Sequence, residues 1–280
     1  MFPTYAADPG YYAYVALGYD KTAGSYDRVE GQNAISERVR RTTLSVAIDL
    51  FRPGERILEL GCGTGRDAVE LAARGMEVVA TDVSSEMVNA TCRRAEREGV
   101  AEQVSALSLP AAEAAAIEGP FDGVYSNGAV LNLEPDLGRV ARNLGRNVRA
   151  GGFAVLTAAN RISLFELLCY PLAFRPRKAF RKLGATVPIP ISREGVGKRY
   201  VVPTRFLTPN EFYSFFRDGF EIHALRGLQA ITPPWNLVDV SERFRGMTRP
   251  LEEIEDAVGT WPAVRSLGAI YLFALRRRSE

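Results

Sequence analysis

The chain reads as an α/β protein built on a mostly parallel, doubly wound sheet. Strand-like and helix-like segments alternate between residues 55 and 160, an apolar strand runs straight into a glycine loop at 57–65, and a second strand ends in an acid close behind it. Such alternation implies parallel pairing through right-handed crossovers, with ligands bound at the carboxyl ends of the strands.

Each element follows in order. From Asn33 to Phe51, Ile35, Val39, Leu44, Ala47, Ile48 and Phe51 recur at helical spacing, and Pro53-Gly54 stops that helix. Ile57, Leu58 and Leu60 suit a buried parallel strand over 56–60. A helix is expected over 66–74, a strand over 76–81, a helix over 84–98, a weaker strand over 103–108, a strand over 121–126, a helix over 136–149 and a strand over 153–159 after Gly151-Gly152. The pattern then breaks. Residues 161–207 hold an aromatic and basic run, LFELLCYPLAFRPRKAFRKL, and a stretch rich in proline and glycine, and they read as an insertion after the fifth strand. Thr208-Pro209-Asn210-Glu211 opens a further helix. Strands over 220–228 and 268–275, flanking a segment at 232–265 that holds both tryptophans, are expected to close the sheet as an antiparallel pair. One domain over 1–280 results: a helical cap and first helix at 1–54, a ligand-binding core at 55–160, a lid-like insertion at 161–207 and a C-terminal part at 208–280.

Composition bounds the function classes. At 280 residues, 46% apolar and 24% charged, the chain has ordinary globular values, and a net charge of +2 makes no electrostatic case for nucleic acid. Cys62, Cys92 and Cys169 lie far apart, so neither a disulfide framework nor a metal site is expected. No stretch reaches the roughly 18 apolar residues of a membrane span, and no charged segment with an apolar run opens the chain. A soluble cytoplasmic protein without stable membrane insertion is the expectation, and nothing in these letters sets its oligomeric state.

Glu59, Gly61, Gly63 and Gly65 fit E-x-G-x-G-x-G. Glycines let the backbone bend sharply and approach a ligand, and the helix that starts near Arg66 points its amide end at it. Gly63-x-Gly65-x-x-Ala68 also satisfies the alanine-ended dinucleotide fingerprint, so the loop alone fits several nucleotide ligands. Asp82, 21 residues after Gly61 at the end of the second strand, can accept both hydroxyls of a ribose; capping the next helix is its plainer role, and the two are compatible.

Taken with the order of elements, the loop and Asp82 resemble the class I S-adenosylmethionine-dependent methyltransferases, clearly over 33–160 and in outline beyond. The resemblance implies a Rossmann-like seven-stranded sheet, mostly parallel with the last strand antiparallel, and S-adenosyl-L-methionine as cofactor. By matching position it implies that Gly61, Gly63 and Gly65, with Cys62 between them, line the methionine part of the cofactor. Glu59 would support its amino group, Asp82 its ribose hydroxyls, and Val83 would lie against the adenine. Ser108-Leu109-Pro110-Ala111 lacks the acid that the family often places there, which leaves apolar contact from Leu109 and the backbone to hold the adenine. Ser126-Asn127-Gly128-Ala129 falls where the family faces the methyl group; it is not N-P-P-Y, which counts against base amines and protein glutamine as acceptors. Tyr19-Asp20 and Ser25-Tyr26-Asp27 resemble the Tyr-Asp pairs of small-molecule members, and Tyr26 either closes over the cofactor or anchors the cap. One of Arg38, Arg40 and Arg41 is a candidate for the cofactor carboxylate, against a solvated helix face.

The expected reaction is methyl transfer to a small metabolite by in-line displacement, driven by alignment and exclusion of water. A nicotinamide-dependent oxidoreductase, or a non-catalytic protein that binds the same cofactor, remains the alternative. Asn127 and Asn132 are candidates to orient a polar acceptor, with turn formation as the plainer role of each. Phe165 and Tyr170, with Leu168, Leu172 and Phe174, are expected as an apolar lid, and the basic residues beside them suit a hydrophobic or acidic acceptor, or a membrane surface. His223, the single histidine, is the candidate general base; its plainer reading is a solvent-facing strand residue.

Overall fold

The structure, a computed structural model, describes residues 10–31, 33–172, 174–184, 186–191, 200–234, 237 and 245–279. Seven strands form one sheet: β1 (Arg56–Leu60), β2 (Glu77–Asp82), β3 (Val104–Ser108), β4 (Phe121–Ser126), β5 (Val148–Ala159), β8 (Phe220–Leu228) and β9 (Ile270–Arg277), in the order β3-β2-β1-β4-β5-β9-β8. The first five pair in parallel, and β9 runs antiparallel to both β5 and β8. The order reverses at β1, so the carboxyl ends of β1, β2 and β4 open a crevice where a doubly wound sheet binds its ligand.

Alternation along each strand sends neighbours to opposite faces. Leu58, Val124, Leu156 and Phe273 pack on one side with α7 (Leu137–Asn147) and α10 (Pro209–Phe216), which contributes Phe212 and Phe216. Ile57, Val78, Tyr125 and Val155 pack on the other with α3 (Ala34–Leu50) and α4 (Arg66–Ala72), which contribute Leu44, Ala47 and Leu71. The weak signal of β3 has a physical reason: it is an edge strand whose residues are largely exposed. The fifth strand begins five residues before the expected 153, because Val148 already pairs with Phe121 and Gly151, at φ 77°, carries the chain through a register shift.

The helices obey their local signals. Asn33 caps α3 through bonds from the amides of Ile35 and Ser36, and Ser84 caps α5 (Ser85–Arg97) through Met87. Thr208 and Glu211 form a capping box on α10. Within the expected helical cap, residues 10–31 form two helices, α1 (Tyr11–Asp20) and α2 (Ala23–Gly31).

The insertion holds α8 (Leu164–Leu172), α9 (Pro176–Ala179) and a 3₁₀ turn at Arg181–Gly184, followed by a two-stranded ribbon of β6 (Thr186–Pro190) and β7 (Val201–Arg205). That ribbon is unexpected in so proline-rich a stretch. Pro188 lies opposite Pro203, and with both strands at an edge their missing donors break no interior ladder. Ile191 and Val202 join Tyr11 and Val15 of α1 in one apolar cluster, and the Val201 amide donates to the Tyr14 hydroxyl at 3.2 Å, so the ribbon buttresses the cap. In the segment at 232–265, the structure forms α11 (Arg245–Val258), whose fully buried Glu255 accepts bonds from the amides of Ala230 and Ile231 and from the Thr232 hydroxyl.

Candidate functional site

A cavity of about 730 Å³, its open mouth included, lies over the carboxyl ends of β1, β2 and β4 beneath α1 and α2. Its walls include Tyr26 of the cap and Gly61, Gly63, Asp82, Val83, Leu109 and Asn127, seven of the sequence candidates.

The glycine loop divides into two jobs. Gly61 and Gly63 face the cavity at φ 75° and 54°, where side chains are disfavoured. At Gly63 an added Cβ would meet nothing nearer than Tyr26 at 4.0 Å, so the space there is left for a ligand. Gly65 is different. A Cβ there would lie 2.7 Å from Thr91 Cγ2 and 2.9 Å from the Thr91 Cα, so this glycine lets α4 approach α5 and does not line the cavity. Cys62 is likewise turned inward, with Sγ 3.4 Å from Thr91 Oγ1, and burial pushes its thiol well up.

Asp82 is held by two amides: Oδ2 accepts from Gly63 N at 3.0 Å and Oδ1 from Ser84 N at 2.9 Å. The carboxylate keeps further lone pairs toward the cavity that it lines. Burial pushes its pKa up to about 6 against the pull of the Ser84 and Gly63 amides. Glu59 is buried below the loop, and its Oε2 has no hydrogen-bond partner among the described residues. Burial, then the charges of Asp67 and Asp82, hold its carboxyl well above the ordinary range, an arrangement that a cation alongside would relieve.

The cap is pinned by the acids of the two Tyr-Asp pairs and by Glu134, which sequence reading passed over. Asp20 Oδ1 accepts from the Ser84 hydroxyl at 2.6 Å, and Asp27 accepts from the Thr64 hydroxyl at 2.5 Å and pairs with Arg94 of α5. Each acid follows a tyrosine, Tyr19 or Tyr26, that lines the cavity. Glu134, also on the wall, rivets the opposite rim: it accepts from the Tyr12 hydroxyl at 2.7 Å and from the amides of Ala112 and Asp136. Tyr11 donates to the Leu133 carbonyl at 2.5 Å. Burial, then the bond to Glu134, pushes the Tyr12 phenol up, and burial, then the charge of Asp82, does so for Tyr19.

Other candidates fall elsewhere. Asn132 is buried, and its amide donates to the Ala159 and Arg205 carbonyls and accepts from the Ala159 amide, which corrects its reading as an acceptor contact. Asn127 stays on the wall, with Oδ1 accepting from the Thr157 hydroxyl at 3.0 Å. Phe165 and Tyr170 do not reach the wall, and Leu168, Leu172 and Phe174 stand in solvent, so the expected lid does not cover this cavity. Its roof is the tyrosine-bearing α1. His223 sits at a bulge in the outer strand β8, its ring 5.1 Å from that of Phe153 and away from the cavity, so geometry removes it as a base. None of the three arginines reaches the cavity either: Arg40 pairs with Asp67 at 2.6 Å, Arg38 with Glu255 at 3.1 Å and Arg41 with Glu37 at 3.0 Å.

Comparison with known proteins agrees with this geometry. Residues 57–152 match the family model described as a methyltransferase domain. The 27-O-demethylrifamycin SV methyltransferase of Amycolatopsis mediterranei is 27% identical over 264 residues, 87% of this chain and 86% of the relative. The chain spans a smaller share of other curated relatives, 42% in the case of a magnesium-protoporphyrin O-methyltransferase of Rhodobacter capsulatus that is 35% identical over 35% of this chain. Among solved structures, geranyl diphosphate C-methyltransferase from Streptomyces coelicolor A3(2), in complex with Mg²⁺, geranyl diphosphate and S-adenosyl-L-homocysteine, superposes with a TM-score of 0.62 at 15% identity, covering 98% of this chain and 100% of that one. The [4+2]-cyclase SpnF gives 0.63 at 16% identity, covering 95% and 96%. At such identity these likenesses speak for the fold alone. With the glycine loop, the Asp82 cradle and the seven-stranded sheet beneath them, the methyltransferase domain matched at residues 57–152 and the methyltransferase relatives support a class I S-adenosylmethionine-dependent methyltransferase.

Proposed function

We propose that this protein transfers the methyl group of S-adenosylmethionine to a small-molecule acceptor that enters beneath α1. The carrying observation is the convergence of Gly61, Gly63, Asp82, Val83, Leu109 and Asn127 on one cavity roofed by tyrosines. Residue roles follow from chemistry. Glu59, with its unpartnered oxygen, suits the donor's ammonium group; Asp82, fixed by two amides, suits its ribose hydroxyls; Val83 and Leu109 offer apolar contact to its adenine. When bound, the donor supplies a methyl carbon on a positively charged sulfur, which an acceptor lone pair attacks in line.

The chain's own contribution is alignment and dryness. Asn127, its oxygen engaged by Thr157, offers N–H donors to orient a polar acceptor atom, and Tyr11, Tyr12, Tyr19 and Tyr26 exclude water while presenting rings to an apolar acceptor body. Holding reactants at about 3–3.5 Å in line supplies most of what such a displacement needs. The walls fit a hydrophobic acceptor with a polar tip, and the length-wide match to a 27-O-demethylrifamycin SV methyltransferase supports an acceptor of that kind. No base is assigned to the reaction. Glu134 is committed to three bonds that hold the rim.

A fold does not by itself assign a reaction, and a cyclase shares this one. The test is therefore turnover: the purified chain with labelled donor, challenged with a panel of hydrophobic hydroxyl- and amine-bearing metabolites. Acceptor-dependent release of S-adenosylhomocysteine is expected. Donor binding without turnover on any acceptor would favour a non-catalytic binding protein.

A further inference from the structure

We propose that the 168–183 surface is a peripheral docking face for an anionic lipid bilayer. Of the eleven large apolar side chains exposed among the described residues, five fall in these sixteen positions: Leu168, Leu172, Phe174, Phe180 and Leu183, with Phe174 95% and Leu172 80% exposed. Leu168 and Leu172 stand one helical turn apart on α8, while Glu166 and Tyr170 are buried, so the helix turns a polar-anchored face inward and leucines outward. Phe174 holds a left-handed backbone at φ 57°, a conformation that bulky residues rarely adopt, and it places its ring in solvent; such an outlier points to function rather than packing.

Charge identifies the occupant. Arg175, Arg177, Lys178 and Arg181 are exposed among these side chains, and among the described residues none of them pairs with a carboxylate. Residues 167–191 contain no acid, and the preceding Glu166 is buried and spent on Lys182 at 2.7 Å. Four exposed positive charges therefore stand on this face in a chain whose net charge is +2. A second copy meeting the same face would bring like charges together, which argues against self-association. Exposed leucines interleaved with arginine and lysine are the composition of elements that lie in the headgroup boundary of a membrane, held by anionic lipids and by shallow apolar burial. No helix among the described residues is long and apolar enough to cross a membrane, so the contact is peripheral. The surface leads directly into the β6–β7 ribbon that braces α1, the roof of the cavity, which sets a bilayer-held acceptor close to the cap.

The test is co-sedimentation of the full chain with vesicles of phosphatidylcholine alone and of an equimolar mixture with phosphatidylglycerol. Binding to the anionic vesicles only, weakened by raised salt, is expected. Arg177→Gln and Lys178→Gln should each lower partitioning about fivefold, and the Leu172→Ser, Phe174→Ser double variant should lower it further, with donor affinity unchanged as the control for folding. Equal binding to both vesicles, no binding to either, or binding indifferent to these substitutions would overturn the proposal. So would a patch-dependent dimer, or patch-dependent binding of RNA in place of vesicles.

Discussion

Gly63 and Gly65 share a motif and a left-handed backbone, yet the same one-carbon change should have opposite consequences at the two. At φ 54° and 77° an alanine costs about 1–2 kcal/mol in either position. At Gly63 the new Cβ meets only Tyr26, at 4.0 Å, so stability should fall by that amount alone, while the methyl group intrudes where the donor's methionine part belongs. At Gly65 the new Cβ would sit 2.7 Å from Thr91 Cγ2 and 2.9 Å from its Cα, a backbone atom that cannot swing away. Overpacking of that kind adds about 1–3 kcal/mol, for a total of about 2–5 kcal/mol. Urea unfolding followed by circular dichroism, with calorimetric titration of S-adenosylmethionine, reads both quantities. Gly63→Ala should weaken donor binding at least about tenfold, or about 1.4 kcal/mol, with a small loss of stability. Gly65→Ala should unfold far more easily and, while folded, bind nearly as the parent does. Wild-type affinity in Gly63→Ala, or equal destabilisation by the two changes, would refute the division of labour within the loop.

Three further outcomes follow from the site. Donor affinity should fall about tenfold from pH 7 to pH 5, because Asp82, with its pKa near 6, accepts from ribose hydroxyls best when ionised; Asp82→Asn should flatten that profile in calorimetric titrations. The linkage runs the other way in the ligand-free fold: a carboxyl raised from 3.8 to about 6 binds its proton more tightly when folded, so it adds stability below pH 3.8 that is lost as pH rises through 6. Asn132→Ala should cost about 2–4 kcal/mol in urea unfolding by stranding the buried Ala159 amide and its neighbours, with donor affinity within about twofold, whereas Asn127→Ala should spare stability and slow turnover. Asp27→Ala, which frees the cap from Thr64 and Arg94, should raise amide exchange in α2 and lower donor affinity several-fold while β1 and β4 keep their protection.

The parts legible in the sequence are those whose signals are local. Apolar runs ending in turn residues gave β1, β4 and β8 their boundaries, and Asp82 lies at the end of β2 where its spacing from Gly61 puts it. What escaped depends on partners far along the chain. Nothing near Asn132 announces that Ala159 and Arg205 will consume its amide, or near Glu134 that Tyr12 will descend on it from 122 residues away. Arg38 and Arg40 looked available because Glu255 and Asp67, distant in sequence, could not be placed beside them, whereas Glu37, the partner of Arg41, stands one helical turn away. The β6–β7 ribbon was hidden by prolines, which argue against interior strands but are tolerated at two free edges. Tyr19-Asp20 and Tyr26-Asp27 held the one usable clue to the cap: a ring for the cavity followed by an acid for the framework, stated twice.

The glycine loop and Asp82 are built to hold S-adenosylmethionine and not a nicotinamide dinucleotide. Parallel calorimetric titrations of the parent chain and of Asp82→Ala with S-adenosylmethionine and with NADH test it directly. Tight binding of the methyl donor to the parent is expected, with a loss of about tenfold or more in Asp82→Ala as charged hydrogen bonds worth roughly 1.5–3 kcal/mol each disappear, and no heat from NADH. Tight NADH binding with none of the methyl donor, or donor binding unchanged in Asp82→Ala, would contradict it.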